Sequence, residues 1–220
     1  MAESLQAKKT RARRIIALLE AAYPDAKIAL DFTNPLELLV ATILSAQCTD
    51  ERVNQVTATL FKKYRTAKDY AGADPRSFEE DIHSTGFYKA KAKSILGMAR
   101  ALVETHKGRV PETLEGLVEL SGVGRKTANV VLGNAFGQEA IAVDTHVFRV
   151  SQRLGLAKSD DPDKIEFQLN EVIPRAKWTQ STHLLITHGR TACHARKPNC
   201  PHCPLRSLCP WTEKTPDGGR

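Results

Sequence analysis

At 220 residues, with 32 Lys and Arg against 25 Asp and Glu and a formal charge of +7, the chain can bury one substantial core or two smaller ones without staples. That balance favours a polyanionic partner over an acidic small molecule. With no apolar run of bilayer-spanning length and a polar, basic N-terminus, MAESLQAKKTRARR, a soluble intracellular (cytoplasmic) protein without membrane association is expected, in which five cysteines make a poor disulfide framework.

Hydrophobic periodicity is helical nearly throughout and strict alternation is absent, so the fold class is all-α. Ile15, Ile16, Leu18, Leu19 and Tyr23 form the stripe of a first helix behind a solvated basic tail, stopped by Pro24. Asn34, Pro35 and Glu37 open a second helix, with a capping side chain, proline in the first turn and a carboxylate near the free amides. Leu36 to Leu44 is apolar almost all round, as befits the middle of a core, and it ends abruptly in Ser45, Ala46, Gln47, Cys48, Thr49 and Asp50. Ordinary helix-end chemistry accounts for this polar patch, although the Gln47 amide could donate to and accept from a base edge. Cys48 reads as a buried apolar residue.

Val53 to Tyr64 gives the next amphipathic helix. Ser77 with Glu80 predicts a capping-box start for another that Gly86 closes. Phe87 and Tyr88 follow that glycine; such aromatics are more often core, yet an exposed one could wedge between bases. Ile95 to Val103 lies on a long helix ended by Lys107 and Gly108, after which Leu114 to Leu120 leads into LSGVGRKTANVVL. There Gly122 and Gly124 flank Val123, and glycine suits a turn that needs positive φ or an uncovered backbone. The turn opens into a helix whose free amides and dipole make a site for phosphate. Arg125 and Lys126 either hold that phosphate, or Lys126 is a nucleophile whose charged form the dipole disfavours. Asp144 occupies a natural N-cap position for the helix of Val147, Phe148, Val150 and Leu154. Two more helices are expected, around Ile165 to Ile173 and Thr179 to Arg190.

Cys193, Cys200, Cys203 and Cys209 are separated by six, two and five residues. Such thiolates hold an iron–sulfur cluster or a tetrahedral zinc, and with only one Cys-x-x-Cys pair the spacing favours the cluster. His194 to Asn199 would then form a stiff basic loop, presenting Arg196 and Lys197 to phosphate at low entropic cost.

The LSGVGRKTANVVL hairpin, the AVDTHVFRV segment and the cysteine spacing together resemble the endonuclease III family of helix-hairpin-helix DNA glycosylases and abasic-site lyases, over nearly the whole chain. The resemblance implies a six-helix barrel domain (28–138) containing the helix-hairpin-helix, inserted into a discontinuous helical iron–sulfur cluster domain (1–27 and 139–220). By this likeness Lys126 matches the family's nucleophilic lysine, Asp144 its catalytic aspartate, and the four cysteines its [4Fe-4S] ligands. Gln47 matches a residue that fills the gap left by a flipped nucleotide, and Phe87 falls where the family often has a leucine wedge. Gly122, Val123, Gly124, Arg125, Arg196 and Lys197 are expected on DNA, and Ser45 and His146 are candidates for the lesion pocket. Ser121 stands where a proline is usual, which should loosen the turn slightly. The implied activity is excision of oxidised pyrimidines, thymine glycol among them, from double-stranded DNA, with nicking at abasic sites by beta-elimination, by a monomer. A monofunctional glycosylase of the same superfamily and a non-catalytic iron–sulfur DNA-binding protein are the alternatives.

Overall fold

The computed structural model describes residues 3–216. Among these residues there are eleven α-helices, two short 3-10 turns and no strand, and no helix is long and apolar enough to cross a membrane. In chain order the helices are α1 (Leu5–Ala22), α2 (Pro35–Leu44), α3 (Asp50–Lys63), α4 (Ala67–Ala71), α5 (Pro75–Ile82), α6 (Tyr88–Thr105), α7 (Leu114–Val118), α8 (Arg125–Ala135), α9 (Thr145–Arg153), α10 (Pro162–Val172) and α11 (Trp178–Thr191). The 3-10 turns are His83–Thr85 and Arg175–Lys177. The described residues group into two units. One is Ala29–Gln138; the other joins the segment ending at Ile28 to the segment starting at Glu139. The expected first boundary lay after residue 27, whereas Ile28 also groups with the N-terminal segment.

In the 29–138 unit, α2 is the central element. Leu38 through Leu44 are all buried, and α2 packs against α3, α6 and α8. Its start follows the local chemistry: the Asn34 side chain accepts from the Glu37 amide at 3.1 Å, and Glu37 reaches back to the Thr33 amide. Phe78, Ile82, Ile95, Met98, Leu102 and Leu117 of the same unit are each fully buried. At one end Tyr64, Tyr70 and Phe78 pack with ring centroids 5.1 to 5.9 Å apart.

Two expectations here need correction. The fifth helix begins not at Ser77 but at Pro75, because Asp74 is the cap: its carboxylate accepts from the Ser77 amide at 2.9 Å, and proline takes the first helical position. It also ends at Ile82, before the 3-10 turn that leads to Gly86. Helix α4, which the sequence reading passed over, is a single capping-box turn between Thr66 and Asp69.

In the other unit, Ala12, Ile15 and Leu19 of α1 join Val147 and Val150 of α9, Leu169 of α10, Leu184 and Leu185 of α11, and Leu205 in one core. The basic tail is not a separate segment, since α1 starts at Leu5 under a Ser4 cap. Within it Arg13 and Arg14 are exposed, but Arg11 donates to the carbonyls of Leu154, Gly155 and Leu208 and pairs with Glu3 at 2.7 Å.

Candidate active site

The hairpin between α7 and α8 is held from inside. Val123 is 6% exposed, its amide donates to the Leu120 carbonyl at 3.1 Å, and Leu117 and Leu120 are buried beneath. The two glycines beside it answer to different constraints. Gly122 has φ +76°, and a Cβ there would stand 2.6 Å from Ser94 Cβ on α6. Gly124 has an ordinary φ of −90° and open space around its missing side chain. The first glycine is required by the fold. The second leaves the backbone bare in front of α8. Ser121 approaches α6 as well, 3.3 Å from where a Cβ on Gly97 would be, so packing against α6 supports the turn in which proline is absent.

Eight of the eleven helices begin with a side chain accepting from a first-turn amide: Ser4, Asn34, Thr49, Thr66, Asp74, Thr113, Asp144 and Asp161. Helices α6, α8 and α11 do not, and none of the three has an acidic residue in its first turn, but α8 alone follows a turn with two glycines. Its N-terminus therefore keeps dipole and amide directions available to an external anion. Arg125 is half-buried, whereas Lys126, one residue on, projects exposed from the same turn.

Asp144 is the N-cap of α9. Its Oδ1 accepts from the His146 amide at 2.9 Å and the Val147 amide at 2.7 Å, which locks the carboxylate in one orientation. Oδ2 has no hydrogen-bond partner among the described residues. The structural and chemical readings of Asp144 are thus compatible, with one oxygen capping and the other free. His146 is half-buried, with Nδ1 3.2 Å from an Arg149 nitrogen, and burial pulls its pKa down against the opposing pull of Asp144. Gly189 of α11 lets this turn pack closely, since a Cβ there would stand 2.9 Å from the His146 ring. Lys126 belongs to one unit and Asp144 to the other.

Gln47 and Phe87 share a backbone peculiarity that the sequence did not announce. Both are non-glycine residues in the left-handed region, at φ 52° and 49°. Both are exposed, Phe87 to 67%. Such conformations cost of order 1–3 kcal/mol each and persist where surrounding structure enforces them. Tyr88 is the half-buried member of the aromatic pair, against His83 with centroids 4.4 Å apart. Ser45 ends α2 with its hydroxyl donated to the Thr42 carbonyl. Cys48 is half-buried rather than buried, because it sits past the end of α2.

Cys193, Cys200, Cys203 and Cys209 line one small pocket, none of them in a disulfide and none with a carboxylate beside it in the lining. Four soft thiol donors with no carboxylate among the lining residues suit an iron–sulfur cluster or zinc. Among the described residues, no group of three or more ligand-type side chains is placed to hold a single metal ion. Burial raises the thiol pKa of Cys203 and Cys209.

Two arginines missed by the sequence reading organise this tail. Arg149 donates to the carbonyls of Gly189 and Cys193. Arg153 donates to the carbonyls of His194 at 2.7 Å and Ala195 at 3.0 Å, approaches Cys193 Sγ at 3.4 Å, and stacks over the Trp211 ring at 4.1 Å. Their four-residue spacing on α9 was the available signal. Trp211 is the platform for Arg153. With the loop held this way, Arg196 and Lys197 are exposed, Lys197 at φ 50°.

Comparison with known proteins places these features in context. The model of the HhH-GPD superfamily base excision DNA repair protein matches residues 40–175. Endonuclease III of Synechocystis sp. is 53% identical over 207 residues, covering 94% of each chain. Endonuclease III of Bacillus subtilis is 48% identical over 188 residues, covering 85% of this chain and 86% of that one. A solved structure of a trapped endonuclease III–DNA covalent intermediate, an estranged-adenine complex, matches with a TM-score of 0.87 and 46% identity over 92% of this chain and 95% of that one. A thermostable thymine-DNA glycosylase shares the fold at a TM-score of 0.84 and 24% identity, covering 95% of this chain and 100% of that one.

Proposed function

Because the chain belongs to the endonuclease III family, within the HhH-GPD superfamily of base excision DNA repair proteins, we propose that it is a bifunctional DNA glycosylase and abasic-site lyase acting on duplex DNA. The observation that carries this reading is the uncapped start of α8 behind a glycine turn, with exposed Lys126 in its first helical turn. A DNA phosphate on the bare amides brings the sugar of a neighbouring nucleotide within the lysine's reach.

The target base must first leave the stack, at a few kcal/mol that a damaged base partly offsets. Gln47 and Phe87, exposed on strained turns, fill and prop the gap. The Lys126 Nζ lone pair then attacks the sugar C1′ as the C1′–N bond breaks and the base departs, and loss of the amine proton with ring opening yields a Schiff base. The free Oδ2 of Asp144 stabilises the positive charge developing on the sugar and assists proton transfer. Removal of a C2′ proton expels the 3′ phosphate and nicks the strand. The substrates are oxidised or ring-saturated pyrimidines, such as thymine glycol, and abasic sites, and the protein works as a monomer. The covalent DNA intermediate trapped in a relative 46% identical to this chain supports a covalent route.

A [4Fe-4S] cluster would be held by Cys193, Cys200, Cys203 and Cys209. Bound there, it supplies cross-linking that stiffens the tail and its basic loop. Arg149 holds the carbonyl of the first ligand, Cys193, and Arg153 that of the next residue, His194, and Arg196 and Lys197 face the DNA backbone.

Borohydride trapping on a thymine-glycol duplex tests the reading. The parent chain should form a covalent adduct and Lys126→Ala none; an undiminished adduct in that variant would refute the assignment.

A further inference from the structure

Lys91 lies in the first turn of α6, only 5% exposed. Its ammonium donates to two main-chain carbonyls, Leu44 and Thr85, at 2.8 Å each. Burial disfavours its charge, lowering its pKa. A lysine near a helix N-terminus also opposes the dipole, and a methionine would fill the same space without either cost. Something must offset these costs, and the two carbonyls show what.

Leu44 is the last residue of α2, three before Gln47; Thr85 ends the 3-10 turn, two before Phe87. The carbonyl of Leu44 is one of the orphan acceptors at a helix C-terminus, where the dipole favours a cation. Neither carbonyl accepts a second hydrogen bond from the described residues. One buried ammonium therefore ties together the roots of the two turns whose tips are Gln47 and Phe87, each a non-glycine residue held left-handed with its side chain exposed. Both turns, and the brace, lie within the 29–138 unit.

We propose that Lys91 is a positioning residue that sets Gln47 and Phe87 as a coupled pair, so that gap-filling and propping of the opened duplex occur together. Lys91 touches no DNA itself. The inference rests on the proposed function, which supplies the roles of the two tips.

The test uses the full chain and a duplex carrying a tetrahydrofuran abasic analogue, with 2-aminopurine beside it to report unstacking. At saturating protein, Lys91→Met should reach at most about half the parent's fluorescence plateau, with the anisotropy Kd for the same duplex within about threefold. On thymine glycol its kcat should fall about tenfold at a KM within about threefold. Added to Gln47→Ala/Phe87→Ala, it should lower kcat no further, because the pair it sets is already gone. If Lys91→Met does not fold, Lys91→Gln takes its place: it keeps a donor but is one atom too short to span both carbonyls, and its plateau should also fall. A full plateau in either folded variant, or losses that multiply with those of the tip substitutions, would overturn the role of Lys91 while leaving the proposed function standing. Absence of excision by the parent chain would remove both.

Discussion

Replacing each hairpin glycine by alanine should separate holding the fold from holding the ligand. At Gly122 the new residue would sit at φ +76° with its Cβ 2.6 Å from Ser94 Cβ and 2.8 Å from Ser94 Oγ. The left-handed backbone costs an L-residue about 1–2 kcal/mol. Forcing α6 and the turn apart costs a further ~1–3 kcal/mol, as overpacking does in well-packed interiors. At about 2–4 °C per kcal/mol for a chain of this length, Tm should drop by roughly 4–20 °C. At Gly124 the φ of −90° suits alanine and no atom lies within 4 Å of the added Cβ. Stability there should change by no more than about 1 kcal/mol. The methyl group, however, stands where the backbone in front of α8 is bare, and duplex affinity should fall by about threefold or more. Far-UV circular dichroism melts and fluorescence anisotropy on an abasic-analogue duplex, at one salt concentration, measure the two quantities. A Gly122→Ala protein melting within about 2 °C of the parent would refute the close-approach argument. A Gly124→Ala protein that melts early but binds normally would refute the division of labour.

Three further outcomes are expected. Asp144→Asn keeps an oxygen to accept from the His146 and Val147 amides, so Tm should barely move while base excision falls by orders of magnitude; Asp144→Ala should in addition cost about 1 kcal/mol of stability through the lost cap. Burial pulls the His183 pKa below its ordinary 6.5. The fold accepts its neutral form, so its contribution is whole above pH 6.5 and is lost as pH falls through that value toward the folded pKa; urea midpoints should decline below pH 6.5, and less steeply in His183→Asn. Arg153→Lys keeps the charge but loses the fork spanning the His194 and Ala195 carbonyls. With chelator present, visible absorbance should bleach faster in this variant than in the parent, and equal rates would show that Arg153 does not support the cysteine tail.

Much of this molecule was legible because the relevant physics is local. A cap and the amide it serves lie two or three residues apart, so Asn34 and Asp144 were readable as helix starts, and the turn glycines and the cysteine spacing could be read the same way. The misread start of α5 was local too: both Asp74 and Ser77 could cap, and the proline after Asp74 decides between them. Non-local contacts decided the rest. Three lysines, Lys89, Lys91 and Lys93, alternate at the start of α6, and only packing against the end of α2, 47 residues away, makes Lys91 the buried one. The left-handed backbones of Gln47 and Phe87 have no sequence mark, since neither is a glycine and their surroundings enforce the strain. Arg153 and Trp211 meet across 58 residues, and the division of work between Gly122 and Gly124 depends on Ser94 of another helix. The sequence by itself determined most of the helices, the glycine turn before α8 and the clustering of four cysteines near the C-terminus, because hydrogen bonds within a turn and residue spacing are short-range. Tertiary structure alone decided which charges are buried, which backbones are strained and which glycine meets a neighbour, because those are set by whatever the rest of the chain brings alongside.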